Sequence, residues 1–87
     1  MKLLQITDAQ YVNLETATIV TPSDRCERGA IRFYFPAVEM PDDGCYKVEA
    51  DIRIETAMMN EVDMVVWVQP DHPKFKVIHD WLTANSF

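Results

Sequence analysis

The sequence predicts an α+β fold: a small antiparallel sheet of about five strands, curled like a half-barrel, with one C-terminal amphipathic helix. Three observations predict it. Several runs alternate apolar and polar residues with the period of two that a half-buried strand requires. Prolines 22, 36, 41, 70 and 73 fall between those runs, where they remove no hydrogen bond from a ladder. Only the segment from Asp71 onward repeats at helical spacing.

KLLQIT (2–7) is the first strand, with Leu4 and Ile6 alternating, and Asp8-Ala9 is a tight turn into QYVNLE. There Val12 and Leu14 share a face, and the β-branched run TATIVT (16–21) is expected to continue the strand after a bulge. Pro22-Ser23-Asp24 opens a polar loop that ends at Gly29. AIRFYF follows, with Ile31, Phe33 and Phe35 on one side and Arg32 and Tyr34 on the other.

PAVEMPDDG (36–44) closes in a Pro-Asp-Asp-Gly reversal, because Pro presets φ and Gly tolerates a positive one. CYKVEADIRIETA (45–57) alternates throughout. Tyr46, Val48, Ala50, Ile52 and Ile54 fall on one side, and Lys47, Glu49, Asp51, Arg53 and Glu55 on the other, as one long strand with a wet face. TAMMNEV (56–62) shows neither period and reads as a loop with a single helical turn. In DMVVWVQ, Met64, Val66 and Val68 face one way, while Val65 and Trp67 make the other side apolar as well. A strand apolar on both faces belongs in the middle of a sheet.

The helix is expected to be capped by Asp71, with Pro73 in its first turn and Phe75, Ile78 and Leu82 along one stripe, widened by Val77 and Trp81. So broad an arc must be buried, either on its own sheet against Trp67 and Tyr34 or on another subunit.

Eighty-seven residues leave room for one domain, spanning 1–87. A chain this small buries only about 60 to 65% of its unfolded surface, so association with another chain adds stability. The composition is 48% hydrophobic and 25% charged, a balance that folds rather than stays disordered. Residues 39–63 hold eight carboxylates against Lys47 and Arg53, which accounts for the net charge of −6. Phosphate-backbone binding needs clustered cations, so no nucleic-acid partner is expected. MKLLQITDAQ is too short an apolar run for a signal peptide, and no run of about 18 apolar residues occurs. A cytoplasmic protein without a membrane partner is expected.

Chemistry-bearing motifs are scarce. Gly29 and Gly44 cannot build a phosphate-cradling loop, and no G-x-S-x-G elbow surrounds Ser23 or Ser86. Cys26 lies between Arg25 and Arg28, which favours thiolate, and His79 is its one well-placed base; a loop cysteine with incidental neighbours is the simpler reading. Cys26 and Cys45 match neither a redox nor a zinc spacing and are expected as free thiols. His72 and His79 stand two helical turns apart, about 10 Å, too far to share one ion. No catalytic group, metal or cofactor is therefore expected, and the protein is not read as an enzyme.

Two surfaces remain. Tyr34, Val65, Trp67, Trp81 and Phe87 are more large apolar groups than one thin sheet and one helix need, and aromatics of this kind anchor interfaces. They point to a small non-enzymatic protein-interaction module, a homodimer with a possible further protein partner. The second surface is an acidic face of Glu49, Asp51 and Glu55, about 7 Å apart along the strand. Cross-strand ion pairing explains it, and the alternative is an acidic inhibitor or nucleic-acid mimic that occupies a basic site on a partner protein.

Overall fold

The computed structural model describes residues 2–36, 47–58 and 62–86. Within them the strands are β1 (Leu3–Thr7), β2 (Gln10–Asn13), β3 (Ile19–Thr21), β4 (Ile31–Phe35), β5 (Ile52–Met58) and β6 (Val62–Val68), followed by one helix, α1 (Phe75–Ala84). The α+β class is as expected. The strands divide between a two-stranded sheet, β1–β2, and a four-stranded antiparallel sheet ordered β3-β4-β6-β5, and neither closes into a barrel. The Pro-Asp-Asp-Gly reversal, Cys45, Tyr46 and Phe87 lie outside the described residues.

β1 and β2 form the expected hairpin, with Leu4 opposite Val12 and both buried. The turn is closed by the Ala9 N–H, which donates to Thr7 Oγ1 at 3.2 Å. β2 does not run on into TATIVT. Asn13 Oδ1 accepts the Glu15 N–H at 3.1 Å and a 3-10 turn forms over Leu14–Thr16. Short polar side chains compete in this way with ladder hydrogen bonds. The chain leaves the hairpin, and Ile19–Thr21 pairs instead with β4 in the other sheet.

The stretch 45–57 is not one strand either. The Asp8 N–H donates to Lys47 O and the Glu49 N–H to Ile6 O, both at 2.9 Å, which bridges this segment to β1. Asp51 then takes a φ of 61° and the Ile52 N–H donates back to Glu49 O at 3.2 Å. This left-handed residue turns the chain out of one sheet and into the other, a conformation Asp accepts more readily than most residues. The alternation survives where it matters, since Val48, Ile52 and Ile54 all contact the same core. In TAMMNEV, β5 runs through Met58 and β6 begins at Val62, so strand takes part of the expected loop, and residues 59–61 lie outside the described residues.

β6 is central, as its two apolar faces predict. It pairs with β4 on one edge, Phe33 opposite Val66, and with β5 on the other, Ile54 opposite Val66. Directly opposed residues share a face, so Ile31, Phe33 and Phe35, Met64, Val66 and Val68, and Ile52 and Ile54 form one inner face. Leu4, Ile6, Val12 and Leu14 of the hairpin segment and Ile78 of α1 join them in a single cluster, in which Phe33, Met64 and Val66 have no solvent exposure.

The helix therefore covers the inner face. Phe75, Ile78, Trp81 and Leu82 pack on the cluster, not against Trp67 and Tyr34, which the alternation puts on the opposite side. Val77 is 63% exposed and takes no part in the buried stripe. Nor does Asp71 cap the helix: the Lys74 N–H ahead of Phe75 donates to His72 Nδ1 at 3.0 Å.

Phe33→Ala should cost about 3 to 5 kcal/mol, because it empties the middle of the cluster. That is a large share of a total near 4 to 13 kcal/mol for this length. Urea unfolding checks it, and a loss below about 1 kcal/mol contradicts the packing. His72 should titrate below 6.5, since burial disfavours its cation and Lys74 adds to that, against the opposing pull of Asp51 and Glu49. The folded state then favours neutral His72. Stability present above pH 6.5 is lost as pH falls through the folded value; an imidazole NMR titration with its midpoint above 6.5 contradicts this.

Candidate functional site

The outer face of the four-stranded sheet is built by the residues the core does not use. Two rows cross it in register. Thr21, Arg32, Trp67 and Arg53 form one, and Ile19, Tyr34, Val65 and Glu55 form the next. Each row takes one residue from each strand in spatial order, so neighbours along it stand about 4.8 Å apart.

The first row is a ladder of cations about an indole. The guanidinium carbons of Arg32 and Arg53 each lie 5.5 Å from the Trp67 ring centroid, one from each flanking strand. Each contact contributes about 0.5 to 1 kcal/mol at an exposed site and more where water is displaced. Arg53 also pairs with Glu55 along its own strand, and both side chains are about half exposed. Trp67 Nε1 is covered and has no acceptor among the described residues.

The second row carries apolar surface. Ile19 is 56% exposed, and Tyr34 and Val65 are half-buried. The Tyr34 hydroxyl donates to the Asp63 carboxylate, which with partial burial and the nearby charge raises its pKa above 10.0. At neutral pH Tyr34 is thus a neutral hydrogen-bonding group. The face offers contact area, guanidinium donors and two carboxylates, which suits binding more than bond making.

Of the apolar residues singled out in the sequence, Tyr34, Val65 and Trp67 come together here. Trp81 does not: it lies on α1 against the core, with Lys2 Nζ 6.0 Å from its ring centroid. The three carboxylates separate. Glu49 is half-buried in the bridge to β1, Asp51 occupies the left-handed turn, and Glu55 sits on the outer face beside Arg53. Ile19, Arg32 and Arg53 belong to the surface as well. Arg32 was visible as the polar side of AIRFYF, but its pairing with Trp67 depends on strand order.

The other reactive groups have separate settings. Cys26 is a half-buried free thiol between two short 3-10 turns. His79 stacks on Phe75 at 6.3 Å and has Nδ1 3.8 Å from Asp80 Oδ1. No group of three or more metal-ligating side chains occurs among the described residues. No described helix is long and apolar enough to cross a membrane.

Tyr34 should ionise above 10.0, and Asp63→Ala should bring it back toward that value by removing both the acceptor and the charge. The folded state favours the protonated phenol, so stability present below pH 10 is lost as pH rises through the folded value. Ultraviolet titration of wild type and variant checks this; identical curves contradict the Tyr34–Asp63 contact. Comparison with models of known families, with curated proteins and with solved structures finds no match to this chain.

Proposed function

We propose that this chain is a small non-enzymatic protein-interaction module that associates with a second copy of itself through its four-stranded sheet and presents the outer side of that sheet to a further protein. The observation that carries it is the Arg32–Trp67–Arg53 ladder beside Ile19, Tyr34 and Val65, on a face that the helix and hairpin leave alone. Aromatic and Arg side chains are the groups that most often anchor interfaces. The same face carries Arg32 and Arg53 together with Glu55 and Asp63, so one copy complements another in charge. An isologous contact requires such self-complementarity.

The reading places the protein in the cytoplasm, in keeping with the free thiol of Cys26. It includes no nucleic-acid, membrane, metal or cofactor partner. An acidic mimic draws no support from Glu49, Asp51 and Glu55, which occupy three different settings and present no regular row.

Sedimentation equilibrium at high micromolar concentration should find a dimer. Trp67→Ala should weaken it by about tenfold, or about 1.4 kcal/mol, by removing the indole that holds Arg53 at the surface. A wild-type protein that stays monomeric at that concentration overturns the proposal. An unchanged dimer constant in the variant removes Trp67 from the contact.

A further inference from the structure

The sheet has two unequal edges. β3 offers three residues, Ile19–Thr21, whereas β5 offers seven, Ile52–Met58, and among the described residues nothing pairs with its outer side. A long edge with free N–H and C=O groups is a template for another strand unless proline, a bulge or repelling charge blunts it. β5 has no proline and pairs with β6 without a register shift.

The intrachain ladder fixes which backbone groups are free. The Gln69 N–H donates to Asp51 O at 2.9 Å, and these residues stand opposite one another in the frame that sets Ile52 against Val68. Hydrogen-bonded and non-hydrogen-bonded pairs alternate along an antiparallel ladder. Arg53, Glu55 and Ala57 therefore turn their backbone groups toward β6, and Ile52, Ile54 and Thr56 turn theirs outward. The Ile52 N–H is already satisfied by Glu49 O, which leaves its carbonyl available.

We infer that two copies pair antiparallel along β5, about a two-fold axis at Ile54, so that Arg53 of each copy stands opposite Glu55 of the other. This rests on the self-association proposed above and names its contact. The Ile54 N–H of each copy donates to the Ile54 carbonyl of the other, and each Thr56 N–H donates to an Ile52 carbonyl.

In that register Arg53 and Glu55 meet at non-hydrogen-bonded positions, where facing side chains are closest, and each copy contributes one member to each of two such pairs. The neighbouring two-folds fail on charge. An axis at Arg53 sets two guanidiniums face to face, and an axis at Glu55 sets two carboxylates face to face, which destabilises a strand pair. A shift by one residue sets outward groups against inward ones and makes no ladder. Ile54, half-buried against the core, meets its own copy on the inner face and carries the apolar contact across the axis. The outcome is one continuous eight-stranded sheet with both Trp67 ladders on the same side.

Charge exchange tests it, with the dimer constant read by sedimentation equilibrium. Arg53→Glu alone and Glu55→Arg alone should each weaken the dimer at least tenfold, and the double exchange should restore it to within about threefold of wild type. An equimolar mixture of the two single variants should form a heterodimer, because each then supplies the charges the other lacks. That result also shows that both variants fold. Thr56→Pro, at an exposed position whose N–H points away from β6, should abolish dimerisation and leave the urea midpoint of the monomer unchanged. A wild-type dimer indifferent to the single exchanges, with no gain on mixing, overturns the β5 contact and leaves self-association standing. A monomeric wild type overturns both.

Discussion

The fold depends on β6 being paired on both edges while apolar on both faces. Its backbone is satisfied by β4 and β5, so burial there leaves no ladder group unpaired. Met64, Val66 and Val68 then supply the middle of the core, and hairpin and helix gather on that one side. Among the described residues there are apolar groups enough for two faces and covering elements for one. Val65 and Trp67 are left on the outer side by the same alternation that buries their neighbours. The candidate surface is a by-product of building a central strand in so small a sheet.

Trp67 shows how the chain manages that exposed side. Two guanidiniums from adjacent strands shield the indole without covering the whole face. Arg suits this position because its guanidinium is planar and weakly hydrated and keeps donors free after stacking, where the ammonium of Lys is compact and strongly hydrated. The outcome is a locally basic row on a chain of net charge −6. Uniform acidity would make two copies repel along any shared surface. Mixed charge on this face offers a way for like to meet like.

Much of the fold was legible because side-chain alternation reports burial directly. AIRFYF and DMVVWVQ gave their inner and outer residues correctly, and Phe75, Ile78 and Leu82 gave the buried stripe of the helix. Alternation does not report where the backbone turns. At Asp51 the pattern of apolar and charged residues passes through a left-handed residue without a break, because Val48 and Ile52 reach one core from two sheets. At Asn13 a single side-chain hydrogen bond redirects a run that composition alone would extend. The site was legible to the same extent. Tyr34, Val65 and Trp67 follow from the period of two, whereas Ile19 and the flanking arginines follow from which strands are neighbours, and pairing order is not written in any one segment.

Edge and face have consequences for each other. A contact that stacked two outer faces would consume the Trp67 ladders and take both arginines of each copy out of water, and desolvating a charge costs several kcal/mol even where it is paired. Pairing along β5 leaves the ladders in the open and asks only that backbone groups already pointing outward find partners. It removes the longer free edge, leaving the three-residue β3 at each end, and short edges are the safer ones. Doubling the sheet also doubles the aromatic row without burying it. In the proposed dimer that face stays exposed and is where a different protein would bind, so the proposed pairing serves as the frame of the binding surface rather than as its purpose.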